Sequence, residues 1–244
     1  MKTCIIIPVF NHEQALPHVL AALKPFGLHG FLIDDGSSEE CRRVLERCAR
    51  EEADWLTLIV RAENGGKGAA VLDGFRAARA EGFTHALQVD ADGQHQIEDL
   101  PHFLAASRQH PEALIAGQPV FGADAPKSRQ YGRQFTNLWV WINTLSFSIG
   151  DAMCGFRLYP LAAVERVCAN AAISQRMDFD IDIIVRLYWQ GIRVINLPTR
   201  VSYPLDGLSH FRLWRDNLMI SKIHARLFFG MLARLPGLIL RHWP

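Results

Sequence analysis

The sequence predicts an α/β protein in which a mainly parallel sheet is flanked by helices. Continuous apolar runs alternate with segments whose apolar residues recur at helical spacing, and this alternation fills the first hundred residues. The chain has 244 residues and is 49% hydrophobic, which is enough for one large core. We therefore expect a core domain over residues 1–212, followed by amphipathic C-terminal helices over residues 213–244.

Each predicted element rests on a short pattern. The predicted strands are TCIIIPVF, GFLID, WLTLIV and THALQV, which are mostly apolar. The predicted helices between them are NHEQALPHVLAAL, EECRRVLERCAREE and GKGAAVLDGFRAARAEG. Two later helices are predicted at IEDLPHFL and IIVRLYWQG, and GADAPKSRQYGRQ is typical of a long mobile loop. Strands joined by helices pair in parallel through right-handed crossovers.

Composition narrows the classes of function. The formal net charge is +1, so the chain lacks the strong basic field that favours bulk nucleic-acid binding. Its five cysteines are scattered, with no C-x-x-C pair, which indicates reduced thiols in a cytoplasmic protein. No apolar run reaches the ~18 residues of a spanning helix. We expect no nucleic-acid partner and a cytoplasmic location, or a location at the cytoplasmic face of a membrane.

Polar clusters follow the four predicted strands, at residues 11–13, 34–38, 64–67 and 90–95. Ligands of parallel sheets bind beyond the carboxyl ends of the strands, so these clusters should converge. In the last cluster Asp90 and Asp92 can both reach a hard divalent cation such as Mg²⁺ or Mn²⁺, which prefers oxygen ligands. The alternative is a solvated loop whose acid caps the following helix.

Five motifs together identify a family resemblance. They are IIIPVFNHE, LIDDGSS, NGGKGAA, VDADGQH and DAMCGFRLY, in this order and at these intervals. Over residues 3 to about 210 the chain resembles the nucleotide-sugar glycosyltransferases of family 2, in the branch of the dolichol-phosphate mannose synthases. The resemblance implies a GT-A (Rossmann-like) fold, a nucleoside diphosphate sugar carrying UDP or GDP, a divalent cation, and inversion at the anomeric carbon.

The resemblance also implies which residues contact the nucleotide sugar. They are Pro8, Phe10, Asn11, Glu13, Asp35, Lys67, Asp90, Ala91 and Asp92, of which Asp90 and Asp92 would also hold the metal. Asp35 would accept a hydrogen bond from the base. The segment NGGKGAA opens a helix with glycines, so its backbone N–H groups can face a phosphate and Lys67 can add a charge; the alternative is a plain glycine-rich turn. The chain departs from the family pattern at His12, because the acid usual at that position comes one residue later, as Glu13.

The acceptor side of the predicted site begins at Asp180, which matches the family's usual base, with Asp182 beside it. A carboxylate there could take a proton from an acceptor hydroxyl, whereas a phosphate acceptor would need no base. The alternative is that these acids only favour a helix N-terminus. The resemblance also assigns acceptor or phosphate binding to Arg129, Arg133, Gly155, Ser209 and His210. The alternative is that the charged residues among them are surface charge on a loop.

The C-terminal segment LMISKIHARLFFGMLARLPGLILRHWP is apolar and aromatic, with interspersed cations. Such a helix lies in a membrane interface, or it packs on its own domain or on a second copy of the chain. The leading hypothesis is a transferase acting on a lipid-type acceptor such as a polyprenyl phosphate. The alternatives are a soluble transferase acting on a saccharide hydroxyl and a nucleotide-sugar-binding partner protein without turnover.

Overall fold

The computed structural model of the protein describes residues 1–122, 127–201 and 213–242, and side chains over residues 1–122, 131–201 and 216–240. The strands are β1 (Thr3–Val9), β2 (His29–Asp34), β3 (Leu56–Val60), β4 (His85–Gln88), β5 (Leu114–Phe121), β6 (Arg157–Pro160) and β7 (Val194–Val201). The helices are α1 (Leu16–Leu23), α2 (Glu39–Glu51), α3 (Lys67–Ala80), α4 (Leu100–Gln109), α5 (Lys127–Thr144), α6 (Leu161–Asn170), α7 (Phe179–Trp189), α8 (Leu213–Leu232) and α9 (Leu235–His242).

One sheet of seven strands runs through these described residues in the order β3-β2-β1-β4-β6-β5-β7. Neighbouring strands are parallel except for β6, which is antiparallel to both β4 and β5. The predicted mainly parallel sheet flanked by helices is therefore confirmed.

Helices cover both faces of the sheet, which explains why the strands are apolar on both sides. Alternate residues of β1 divide between two cores: Cys4 and Ile6 pack on the side of α3, α6 and α7, and Ile5 and Ile7 pack on the side of α1, α2 and α4. The result is a three-layer sandwich.

The prediction of a loop at GADAPKSRQYGRQ is wrong over most of that segment, because α5 begins at Lys127. This segment contains Gly132, which costs a helix about 1 kcal/mol relative to alanine and obscures the pattern. The later part of α5 buries Val140, and the helix packs against α7 and α8. Tertiary packing therefore stabilises a helix that local propensity does not predict.

The C-terminal segment forms α8 and α9, as predicted, and its buried residues Ile223, Leu227, Met231 and Leu238 join the core on the α3 side of the sheet. Over the described ranges no helix combines the length and the apolar character needed to cross a bilayer.

Candidate active site

The loops after β1 and β2 are joined by hydrogen bonds at the carboxyl edge of the sheet. The Asn11 N–H donates to Ser37 Oγ (3.1 Å), and the Ser38 N–H donates to Asn11 Oδ1 (2.8 Å). Asn11 has a positive φ of 53°, a conformation that asparagine tolerates better than most residues. Pro8 lies buried in β1, opposite Ile33 of β2. These contacts bring the first two predicted clusters together.

Asp35 anchors the glycine-rich turn that precedes α3. Its carboxylate accepts the N–H groups of Gly65 (2.9 Å) and Gly66 (2.8 Å) and also pairs with Arg61. The Gly65 and Gly66 N–H groups thus pair with a buried carboxylate, and a phosphate-facing role for the backbone N–H groups of this motif stays a prediction. The role of Asp35 toward a nucleotide base stays a prediction.

Lys67, the first residue of α3, joins two carboxylates from distant parts of the sequence. Its Nζ lies 2.8 Å from Asp90 Oδ2 and 2.8 Å from Asp180 Oδ2. Burial lowers the pKa of Lys67, but the two carboxylates outweigh it and raise that pKa well above its usual range. Burial likewise raises the pKa of Asp90, but Lys67 and His95 hold it well below its usual range. The three groups form a charged cluster at the carboxyl edge.

Two further side chains, which the sequence analysis assigned to no role, touch the acids of this cluster. Gln88 Nε2 lies 3.2 Å from Asp180 Oδ1 and 3.4 Å from Asp90 Oδ1. His95 Nε2 lies 3.4 Å from Asp90 Oδ2, and the His95 ring stacks on Phe156 with the centroids 5.3 Å apart. The signal for Gln88 was present in the sequence, because an amide in a fully buried strand needs buried partners.

Behind the cluster, β6 contributes a fully buried arginine and a fully buried tyrosine. Arg157 Nη1 donates to the backbone oxygen of Asp180 (2.6 Å), and Tyr159 Oη donates to Gln88 Oε1 (3.3 Å). In the part of the chain that is described, Arg157 Nε and Nη2 have no acceptor. Neither residue was predicted, although both stand in the motif DAMCGFRLY.

Gly155 closes the cluster on the side of β6. A Cβ at this position would lie 2.7 Å from both Asp90 Oδ1 and Lys67 Nζ. Real Cβ atoms do not come that close to their neighbours, so only glycine lets the backbone approach the ion pair. Gly155, predicted to contact acceptor or phosphate, thus lies beside the acids.

Other predicted nucleotide-binding residues lie around this edge. Asp92 is half-buried and accepts the Gln94 N–H at Oδ1 (3.0 Å), while Ala91 is buried. Phe10 is half-buried after β1. Glu13 is also half-buried, and its Oε2 is enclosed without a hydrogen-bond donor among the described residues.

Two predicted residues have their charged groups engaged elsewhere in the fold. Asp182 is fully buried, and it accepts the Ser174 N–H (2.8 Å) and Arg186 Nε (2.5 Å). Arg133 makes a two-point contact with Asp151, at 2.5 and 3.1 Å. Both contacts stabilise the surroundings of the cluster. The predicted catalytic and phosphate-binding roles of these residues stay predictions.

Three predicted residues lie wholly or partly outside the description. Ser209 and His210 fall between the described ranges, and Arg129 belongs to α5 with its side chain undescribed.

A hard divalent cation fits part of this edge. Asp90 and Asp92 offer the oxygen ligands that Mg²⁺ and Mn²⁺ prefer, and the Lys67 ammonium already lies against Asp90. Within the described ranges, no three His, Cys, Asp or Glu side chains are grouped as a metal site. The described side chains therefore offer such a cation only part of a ligand set.

Comparisons with known proteins agree with this architecture. The matching family model is described as Glycosyl transferase family 2, over residues 4–168. The polyprenol monophosphomannose synthase of Mycolicibacterium smegmatis is 27% identical over 213 residues, which are 85% of this chain and 80% of that protein. The undecaprenyl-phosphate mannosyltransferase of Micrococcus luteus is 27% identical over 203 residues, 81% and 82% of the two chains.

A solved structure shares the fold. It is the glucosyl-3-phosphoglycerate synthase of Mycobacterium tuberculosis in complex with Mn²⁺, uridine diphosphate and phosphoglyceric acid. Its TM-score is 0.67 at 10% identity, and the match covers 94% of this chain and 78% of that one. This neighbour is a GT-A enzyme, so the GT-A fold implied by the motifs is confirmed.

Proposed function

Because the chain belongs to glycosyl transferase family 2, we propose that it moves a sugar from a nucleoside diphosphate to a polyprenyl phosphate. It is a glycosyltransferase of the dolichol-phosphate mannose synthase-like branch. The observation that carries the proposal is the cluster in which Lys67 joins Asp90 to Asp180 at the carboxyl edge of a parallel sheet. Ligands of such sheets bind at this edge.

On the donor side, Asp90 and Asp92 would hold Mg²⁺ or Mn²⁺ together with the diphosphate of the nucleotide sugar. The cation would neutralise the charge that develops on the leaving diphosphate. The enclosed Oε2 of Glu13, which has no donor among the described residues, offers an acceptor for a hydroxyl of the nucleoside.

On the acceptor side, a phosphate oxygen of the lipid would attack the anomeric carbon as the bond from that carbon to the diphosphate oxygen breaks. The sugar would be transferred with inversion, and the nucleoside diphosphate would leave. A phosphate oxygen is already ionised at neutral pH, so Asp180 would orient the reacting groups and not remove a proton. Arg157 supports this role because it holds the backbone of Asp180 from behind.

The proposal is tested by measuring nucleotide binding and sugar transfer on the same preparation. We expect UDP or GDP to stabilise the protein against heat in the presence of Mn²⁺ and much less in its absence, because a ligand of the native state raises the melting temperature. Asp92→Asn should lose the Mn²⁺-dependent part of the stabilisation. Glu98→Gln, a change of an exposed acid in the same segment, should keep it.

Transfer of labelled sugar is then compared between polyprenyl phosphate and saccharide acceptors. Transfer to a saccharide hydroxyl alone would replace the lipid acceptor in the proposal. Binding of nucleotide sugar without any transfer would point to a partner protein.

We further propose that the protein contacts the membrane that holds its acceptor through one face of α8. Leu218, Phe229 and Leu232 are 57%, 69% and 46% exposed. At about 100° per residue they lie on one side of the helix, with exposed Lys222 between them. An apolar stripe with a cation suits an anionic membrane surface.

Vesicle sedimentation tests this contact. The double variant Phe229→Ser with Leu232→Ser should sediment less with anionic vesicles, whereas Val60→Ser, a change of an exposed apolar residue on β3, should behave as wild type. Equal recovery of the wild-type protein in the supernatant with and without vesicles would contradict the proposal. Arg226 and Arg234 are less suitable targets, because Arg226 donates to Ala172 O and Arg234 lies over the Trp189 ring.

A further inference from the structure

We propose that the Lys67 ammonium is the resident cation of this site, holding Asp90 and Asp180 in the ligand-free protein so that a divalent metal binds with the nucleotide diphosphate and not alone. The inference rests on the proposed function, since it concerns the same site. It adds an order of binding and assigns that order to one side chain.

The position of the ammonium is built into the fold. Lys67 Nζ is 2.8 Å from one oxygen of each carboxylate, and the Lys67 side chain is only 16% exposed. Its backbone is fixed because the N–H of the preceding residue, Gly66, donates to Asp35, and the Ala69 N–H donates to Gln175 O.

A divalent cation bound by Asp90 would compete with the Lys67 ammonium for the same carboxylate. Asp90 Oδ2 already accepts from Lys67, so a metal bound to that oxygen would lie beside the ammonium. Two cations sharing one carboxylate repel each other, and the repulsion is stronger in a half-buried site than in water. Free metal ions are therefore disfavoured while Lys67 remains in place.

A nucleotide diphosphate changes this balance. It brings negative charge and the oxygen ligands that the described part of the chain does not supply, since no group of three metal-binding side chains occurs there. The diphosphate would also offer Lys67 a new partner, so the ammonium could leave Asp90 without losing its pairing. The metal and the nucleotide are then expected to bind together.

The test uses Mn²⁺ alone as the probe. The free ion is measured by electron paramagnetic resonance in the presence of full-length protein and no nucleotide. We expect wild type to bind Mn²⁺ weakly and Lys67→Met to bind it at least ~10-fold more tightly, because two carboxylates lose their cation. Lys67→Arg keeps the positive charge and should bind as weakly as wild type.

Lys2→Met is the matched control, because Lys2 is an exposed lysine whose ammonium lies over the Phe83 ring, away from the cluster. It should leave the Mn²⁺ affinity unchanged. If Lys67→Met does not fold, Lys67→Gln gives the same comparison with a polar side chain, and circular dichroism verifies the fold of each variant.

Two results would overturn the inference. One is an unchanged Mn²⁺ affinity in folded Lys67→Met or Lys67→Gln. The other is wild-type protein that binds Mn²⁺ as tightly without nucleotide as with it. Its failure differs from failure of the proposed function. If wild type binds neither UDP nor GDP in Mn²⁺, the proposed function is wrong, and the effect of Lys67→Met on Mn²⁺ alone still shows whether the ammonium excludes the free ion.

Discussion

Gly155→Ala should damage the charged cluster from the side of β6. The added methyl carbon would clash with Asp90 Oδ2 and would lie 2.7 Å from Asp90 Oδ1 and from Lys67 Nζ, whereas ordinary contacts begin at 3.4 Å, so each group must move by at least about 0.7 Å. Lys67 Nζ is held at 2.8 Å by two carboxylates and cannot move that far without lengthening one contact.

The size of the effect follows from two contributions. Overpacking a filled interior costs roughly 1–3 kcal/mol. Breaking a buried ion pair completely costs roughly 3–5 kcal/mol, of which this half-buried pair, when stretched, loses only part. We expect a destabilisation of about 2–4 kcal/mol, which lowers the melting temperature of a chain of this size by roughly 4–16 °C.

The first assay is thermal unfolding without nucleotide. The second is titration with UDP and GDP in Mn²⁺, in which the nucleotide affinity of Gly155→Ala should fall about tenfold or more because Asp90 is displaced. Gly132→Ala is the control, because nothing lies within 4 Å of a Cβ at that position of α5. It should stabilise the protein by about 0.5–1 kcal/mol. A Gly155→Ala protein that melts and binds like wild type would refute the described packing of Gly155 against the ion pair.

Three more changes probe separate parts of the molecule. Asp180→Asn should lower kcat by ~10²-fold while the nucleotide affinity stays near that of wild type, because Asp180 orients the reacting groups, and an unchanged kcat would remove Asp180 from the reaction. Burial lowers the pKa of His224 from 6.5 to about 4, so the unfolded chain binds a proton that the folded one does not. Stability should therefore fall by roughly 3 kcal/mol as the pH drops from 6.5 to 4, and denaturant unfolding of His224→Phe should show a smaller fall. Gly68→Ala should cost about 1–3 kcal/mol in the same unfolding assay, because its Cβ would meet Phe179 at the start of α7.

Much of the fold could be predicted because several strands are continuous apolar runs. A fully buried run such as that of β1 has few alternatives to a central strand, and the helices between the strands show clear spacing. The start of α5 could not be predicted in this way. Its favourable energy comes from packing on α7 and α8, which lie more than 30 residues further along the chain.

The candidate site could be predicted in part. Asp90 and Asp180 were found through motifs, and the structure brings both to Lys67. Gln88 and Arg157 were missed because each is a single polar residue at the end of an apolar strand, which does not show which residue it pairs with. The contact that matters for Arg157 is with a backbone oxygen of Asp180, and no residue pattern encodes such a contact.

The antiparallel direction of β6 explains why these residues meet. Strand β6 runs against β4, with Gln88 opposite Arg157, so the residues that enter β6 reach the same edge at which β4 ends. A parallel strand in this place would bring its carboxyl end to that edge instead. Reversing β6 puts the glycine of the preceding turn, Gly155, against Asp90, and it puts Arg157 behind Asp180. One change of strand direction thus supplies the side of β6 on which Gly155 closes the charged cluster.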